Sequence, residues 1–459
     1  MTLIYLLGLV LVAAGAYVVG RQKGVTFAMA GGASRMHSLP SYHGAYLAVS
    51  AIAPMLLWFI LWLVFAHRVV EWAGMSALPA DLAPADGLAY ASRLREILLV
   101  ADGVQTNEVA PGVRAAGETY ALWRGLSEWA LLIVGLGLAL IGFAWGARQL
   151  EPQFRARNGV ERFVKVLLIA CSAVAVLTTV GIVFSVLFET LRFFAKYPWY
   201  DFLFGLQWSP QTAIRADQVG ASGAFGAVPL FAGTTLIMLI AMSVAGPIGL
   251  FAAIFMAEYA SPRVRGVVKP VLEVLAGVPT VVFGFFAALT VAPFIRSTGE
   301  ALGLNVASES ALAAGLVMGV MIIPFVSSLS DDVINAVPQS LRDGSYGMGA
   351  TKSETIKKVI LPAALPGIVS AFMLAISRAV GETMIVVMAA GLAGNLTFNP
   401  LEAVTTVTVQ IKTLLVGDQE FDSAKTLSAF ALGFVLFFFT LVLNFIALRI
   451  VQRYREQYD

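Results

Sequence analysis

Long, nearly uncharged runs of Leu, Val, Ile, Ala and Phe recur along this chain, at approximately 2–20, 43–66, 129–147, 164–188, 228–256, 270–294, 311–335, 366–392 and 426–448. Each supplies the roughly 20 helical residues needed to cross about 30 Å of hydrocarbon. In that medium every backbone N–H and C=O must find its partner within a helix or a closed barrel. Barrel strands would alternate apolar and polar residues over about ten positions, and these runs do not. The expectation is an all-α integral membrane protein of about nine spans. With 59% hydrophobic and 13% charged residues, the chain has too little polar surface for a soluble domain. The opening MTLIYLLGLVLVAAGAYVVG lacks the basic stretch that begins a secretory signal and reads as a retained span.

Arg and Lys crowd one side of such a topology: Arg21 to Arg35, the cluster Arg148, Arg155, Arg157, Arg162 and Lys165, then Arg263 to Lys269, Arg342 to Lys358, and Arg449, Arg453 and Arg455. The basic side is expected to be cytoplasmic, which puts the N-terminus outside, the C-terminus inside and the loop 67–128 in the periplasm. Topology thus explains the net charge of +2 without a nucleic-acid partner. Cys171 is the only cysteine, which excludes a disulfide framework, and His37, His43 and His67 are too scattered for a metal site. Residues 1–150 form an N-terminal extension of three spans and 151–163 a basic cytoplasmic linker. The six-span core occupies 164–451, and 452–459 is a cytoplasmic tail. In the outside loop GMSALPADLAPADG reads as a connector and SRLREILLVADG as a short helix, while the aromatic KYPWYDFLFGLQWSPQ reads as an interfacial belt or a docking surface.

Between two apolar stretches lies DGSYGMGATKSETIKKVILPAALPGI, at 343–368. Asp343 to Met348 can continue a helix that Gly349 ends, and Lys352 to Ile360 can form a second one, stopped by Pro362 and Pro366. Ile356, Val359 and Ile360 share an apolar face suited to a partner's groove. GMGATKSE is no phosphate-binding loop, since Thr351 separates Lys352 from Ala350 and no Gly-Lys pair precedes the Ser. A chain of this kind does not itself hydrolyse ATP.

The loop resembles the cytoplasmic signature of permease subunits of ATP-binding-cassette importers, Glu-Ala-Ala, three residues, Gly, then about nine residues to Ile-x-Leu-Pro. Asp343, Gly344 and Ser345 stand at the triplet, followed by Gly349, Ala350, Val359, Ile360, Leu361, Pro362 and the second proline, Pro366. Asp keeps only the acidity of the triplet, and Val359 replaces its Ile conservatively. The resemblance implies a coupling loop at 338–366 that sits in a groove of a partner ATPase.

In the next span, SRAVGETM places Arg378 12 residues beyond Pro366, about 18 Å along a helix and near the midplane. An Arg there costs at least about 2.5–3.5 kcal/mol on insertion scales. Glu382, four residues on along one helix face, is expected to pair with it and leave donors free for a tetrahedral oxyanion, with Gly381 allowing close approach. The bland reading is an ion pair locking two helices. Pro279 and Thr280 are expected near the pathway because prolines inside spans, Pro247 and Pro279, break backbone bonds that only protein or a cavity can tolerate. Glu258, Glu273, Asp331 and Asp332 read as helix caps or partners of Arg263 and Arg265.

LQWSP at 206–210, FGAVPLFAGT at 225–234, IFMAEYAS at 254–261, LAGVPTVVFGFFA at 275–287 and RAVGET at 378–383 resemble the phosphate-specific permeases of these importers. They resemble the PstC type more than its PstA sister, and cover about 180–451 in order. The resemblance implies a transmembrane channel subunit of an ATP-driven inorganic phosphate importer working by alternating access, with Arg378 and Glu382, and beside them Gly381 and Thr383, on the substrate pathway. It further implies a homologous PstA-like permease, two PstB-like ATPase subunits using ATP and Mg, and a PstS-like periplasmic phosphate-binding protein. No cofactor is expected on this chain. Other oxyanions (molybdate, sulfate or phosphonate) would suit the same architecture. An ion-coupled secondary transporter, with Arg378 and Glu382 as a proton relay, would need no ATPase.

Overall fold

The computed structural model describes residues 1–31, 36–82, 87–104, 109–211, 223–416 and 422–454; Arg35, Arg455 and part of the 74–87 connector lie outside them. The chain forms two compact units, Met1–Leu177 and Thr178–Asp459. The boundary falls inside a helix rather than near residue 150, because the start of that helix packs on the first unit and its end on the second.

The first unit holds α1 (Thr2–Gly31), α2 (Pro40–Ser76), α3 (Gly87–Ala101), α4 (Pro111–Gln149) and the start of α5 (Ala156–Phe194). Proline opens both α2 and α4, where its missing N–H costs nothing. Small residues let these helices touch: a Cβ on Gly142 would collide with the Ser50 carbonyl oxygen. Four residues past Ser50 stands Pro54, which has no N–H to offer that carbonyl. Both α2 and α4 overrun their apolar stretches, and α3 packs across the overrun on Val70, Ile97, Val113, Ala116 and Tyr120. At the other end, Ala156 is buried with Tyr46 and Leu47, seating the first turns of α5.

The second unit continues α5 into α6 (Trp199–Phe204) and a two-residue antiparallel pair, β1 (Trp208–Ser209) with β2 (Ala224–Phe225), in which Trp208 faces Phe225. The aromatic segment is therefore not simply an interfacial belt. Phe202 and Trp208 are buried with Phe193 and Phe225, while Trp199, Tyr200 and Phe204 stand exposed. The Trp208 indole donates to Gln410 Oε1 at 2.9 Å, satisfying a group that burial would otherwise strand.

Next come α7 (Val228–Ile254), widening into a π-turn at Phe255–Tyr259, and α8 (Pro262–Ala276), capped by Ser261. After α9 (Thr280–Phe286), a second π-turn (Ala287–Val291) leads into α10 (Ala292–Ala301) and then α11 (Ala311–Ala336). The last part runs through α12 (Gln339–Gly347), α13 (Lys352–Thr355), a third π-turn (Ile356–Ile360), α14 (Leu361–Gly381), α15 (Met384–Ala389), α16 (Val407–Leu414) and α17 (Ala424–Tyr454). Helix α11 is the centre of the unit, with 61% of its most apolar window buried. It packs on α7 through Gly315, where a Cβ would lie 2.6 Å from the Ile240 side chain, and through Gly319 and Gly249.

Among the described residues nine helical runs are long and apolar enough to cross a membrane, as expected, but two differ in position. The sixth is Thr280–Ala301, because 262–276 form a separate amphipathic helix and Pro279 is the residue before α9, not one inside a span. The eighth is Lys352–Gly381. Neither Pro362 nor Pro366 stops it: Pro362 falls in the first turn of α14, directly after the π-turn, and Pro366 is carried inside. A wider turn moves the preceding carbonyls off the i−4 position that a proline ring would strike.

Candidate functional site

Helix α14 ends at Gly381, and Glu382 leaves it in an extended conformation, φ −69° and ψ 131°. The expected face shared by Arg378 and Glu382 therefore does not exist. The Glu382 side chain is buried, and its Oε1 accepts the N–H groups of Met384 at 2.9 Å and Ile385 at 3.3 Å. These are first-turn donors of α15 that no helical carbonyl can reach. Thr408 Oγ1 donates to the Glu382 carbonyl at 3.0 Å, so α16 holds the break from the other side, and Thr383 Oγ1 bonds back to the Gly381 carbonyl.

Arg378, in the last turn of α14, is exposed. Its guanidinium lies 5.8 Å from the centroid of the Phe325 ring on α11, and no carboxylate of the described residues stands within ion-pair distance. Gly381, also exposed, has nothing within 4 Å of where a Cβ would be, so among the described residues no helix uses the room it leaves. Helix α9 does reach this region: Gly284 meets Met388 and the Met384 carbonyl, the latter at 3.1 Å from a built Cβ. Pro279 and Thr280 stand a turn away from that contact, at the start of α9.

The loop at the other end of α14 is a built object. Gly349 takes φ +84°, a conformation that ordinary side chains resist, and turns the chain between α12 and α13. Thr351 and Glu354 form a reciprocal capping box, with the Thr351 N–H on Glu354 Oε2 at 3.0 Å. Its sequence mark, Thr-x-x-Glu before an apolar residue, was legible and not used. Ser345 Oγ and Thr355 Oγ1, 2.8 Å apart, tie the two helices together, and Asp343 accepts from Gln339 at 3.0 Å.

The apolar face expected to serve a partner is spent internally. Ile356 and Ile360 are buried with Ala253, Ile334, Val337, Ala364 and Ile368, while Val359 is half-buried. What the loop presents outward is its tip, with Tyr346 41% and Met348 89% exposed.

Sequence reading missed the loop's main fastener. Arg342 is buried and donates from Nε to Glu258 Oε1 at 3.1 Å, from Nη2 to the Ile334 carbonyl at 2.8 Å, and from Nη1 to the Val337 carbonyl. One guanidinium thus joins α12, the end of α11 and the π-turn that closes α7. The Lys352 ammonium lies 4.8 Å from the Tyr259 ring centroid on that same turn. Asp331, fully buried, accepts from Arg265 at 2.9 Å and Lys269 at 3.1 Å, fixing α8 to α11; of this pair Arg265 was anticipated and Lys269 was not. Hydrogen bonds that it donates to Asp332 and Asp331 hold the Lys269 ammonium above the usual lysine range.

Residues 245–456 match the family described as binding-protein-dependent transport system inner membrane component, and residues 6–178 match one described as phosphate ATP-binding cassette transporter. A probable ABC transporter permease protein, YqgH, of Bacillus subtilis is 34% identical over 54% of this chain and 78% of its own length. The phosphate transport system permease proteins PstC of Mesorhizobium japonicum and PstC 1 of Mycobacterium tuberculosis are 31% and 32% identical, each over 55% of this chain and over 79% and 81% of theirs. A chain of the MetNI methionine ABC transporter, solved in an inward-facing conformation, covers 50% of this chain at 19% identity with a TM-score of 0.38. The three permeases above 30% identity that this chain spans over more than two thirds of their length, with the match over 245–456, lead to one conclusion: the chain belongs to the family of binding-protein-dependent transport system inner membrane components.

Proposed function

We propose that the chain is the transmembrane channel subunit of an ATP-driven inorganic phosphate importer. The carrying observation is Arg378: a guanidinium in the last turn of a membrane-crossing helix, exposed and without a carboxylate partner among the described residues. Bare to lipid a guanidinium is costly, so the face it occupies belongs against a second subunit or a water-filled path. Five N–H donors in a fixed plane suit a tetrahedral oxyanion in transit. The phosphate-transport names of the relatives support that choice over molybdate, sulfate or phosphonate. Glu382, engaged with the amides of Met384 and Ile385, holds the α14–α15 break in shape, an arrangement that lends no support to a proton relay with Arg378.

The partners in this reading are a homologous PstA-like permease across the pathway, a PstS-like binding protein on the periplasmic side, and two PstB-like ATPases that use ATP and Mg on the cytoplasmic side. The exposed tip at Tyr346 and Met348 enters the ATPase groove, and Arg342 passes the ATPase movement to α7 and α11. Closure of the ATPases then rocks the helices, opening the site to each side in turn.

The test is ATP-dependent uptake of labelled phosphate in vesicles carrying the chain with its permease and ATPase partners, comparing the parent with Arg378→Gln. Loss of uptake with assembly and basal ATP hydrolysis intact is the expected result. Unchanged uptake removes the reading's main support.

A further inference from the structure

The N-terminal unit contains a cavity of about 530 Å³ between α2 and α4. One wall is Val49, Ala53 and Pro54, and the other is Leu138, Ile141 and Trp145, the last two exposed. Leu138 to Trp145 runs about 10 Å along α4, a large part of one leaflet's roughly 15 Å of hydrocarbon.

One end of this apolar groove is polar. Tyr46 and Ser50 line it, but the hydroxyls of both are engaged, Tyr46 donating to Gln149 at 2.6 Å and Ser50 to the Tyr46 carbonyl at 2.9 Å. Arg162 lines the same end, exposed, with no carboxylate of the described residues at ion-pair distance. Its neighbour Glu161 is taken by Arg157 at 2.6 Å. Gly159 fixes the position: a Cβ there would meet the Tyr46 ring at 2.8 Å, so the first turns of α5 lie close against the groove and carry Arg162 to its mouth. Arg148 extends the Leu138, Ile141, Trp145 stripe of α4 by one more position, and Arg155 stands just before α5, both exposed.

An apolar slot reaching through much of one leaflet, ending on guanidinium groups that no carboxylate of the described residues pairs, has the chemistry of an acyl chain joined to a phosphate. We propose that this groove is a binding site for one anionic phospholipid, its chain between α2 and α4 and its phosphate on Arg162. The arginines around the mouth disfavour a headgroup that carries its own cation, which separates this site from ordinary contact with bulk lipid.

The experiment uses the full chain in nanodiscs of phosphatidylethanolamine with or without phosphatidylglycerol, with retained lipid counted by native mass spectrometry after detergent washing. The expected result is one retained phosphatidylglycerol per chain, preferred over phosphatidylethanolamine. Arg162→Gln should lower that preference by about fivefold, from roughly 1 kcal/mol per basic residue near an anionic surface, and Arg162→Lys should largely restore it. Ala53→Trp, which fills the slot, should release the lipid; should that variant misfold, the Arg162 pair decides alone. Equal retention of the two lipids, or retention unaffected by Arg162→Gln, overturns the site. Displacement of the lipid by inorganic phosphate also overturns it, since the groove would then be reading a free anion.

Discussion

Arg342 lies against Glu258 with 10% of its side chain exposed and two backbone carbonyls completing its shell, whereas Arg378 stands exposed over an aromatic ring with no counter-charge among the described residues. The two residues share a unit and a chemistry, and their surroundings assign them different work. A buried guanidinium whose donors are all directed at one chain is a fastener, since each bond it makes constrains that chain. An unmatched guanidinium in a membrane-crossing helix is a cost that this chain alone does not recover, and so points to something that arrives from outside it.

Removing the fastener is the harshest way to break the contrast. Arg342→Met strands the Glu258 carboxylate and should destabilise the second unit by about 3–5 kcal/mol, visible as a large fall in melting temperature and in phosphate moved per ATP hydrolysed. Adding Glu258→Gln should recover much of that stability. A variant that melts like the parent would show that the clasp carries no load. Arg378→Gln should do the reverse, leaving melting nearly unchanged while uptake falls about 10- to 100-fold, the equivalent of one charged hydrogen bond of about 1.5–3 kcal/mol.

Glu382 sharpens the comparison, because its assignment here is to amides and not to Arg378. Glu382→Gln keeps an acceptor oxygen and should leave stability almost unaltered, whereas Glu382→Ala strands two N–H groups at about 1–2 kcal/mol. If Gln abolishes uptake as fully as Ala does, negative charge rather than capping is what transport needs. The smallest effect belongs to Lys269. Its ammonium is held above the ordinary range, so the stability it adds is complete below about pH 10 and lost as pH rises through the raised value. With 27% of the side chain exposed, the term should stay under about 1 kcal/mol. The melting difference between parent and Lys269→Met should therefore shrink in strongly alkaline buffer; a constant difference across that range would refute the ionic origin.

The spans were legible because hydrocarbon leaves so few choices: about 20 apolar residues in a row have one good conformation. Their ends were less so. Helix α2 reaches Ser76 and α4 begins at Pro111, well past the apolar runs, since α3 gives the overhanging turns a surface to bury. Within the candidate site, Arg378 was singled out by a charge inside an apolar run and by the resemblance of RAVGET. Its pairing was misjudged by extending helical spacing through Gly381 and Glu382, although a carboxylate just ahead of a new helical turn is itself a capping signal. The loop's apolar stripe was legible as a stripe, but nothing in its spacing distinguishes a face covered by the chain's own α7 and α11 from one awaiting a partner. Arg342 escaped notice because its carboxylate lies 84 residues away, beyond any local pattern.

The glycines along α7 and α11 carry a mechanical consequence. At Gly315, Gly319 and Gly249 the two helices meet with so little side chain between them that there is no compressible layer to absorb a push. Such a pair behaves as a stiff beam. Force applied where Arg342 grips the C-terminal ends of both helices would tilt the whole length at once, so a small stroke at the loop becomes a comparable stroke at the far side of the bilayer and is not dissipated along the way.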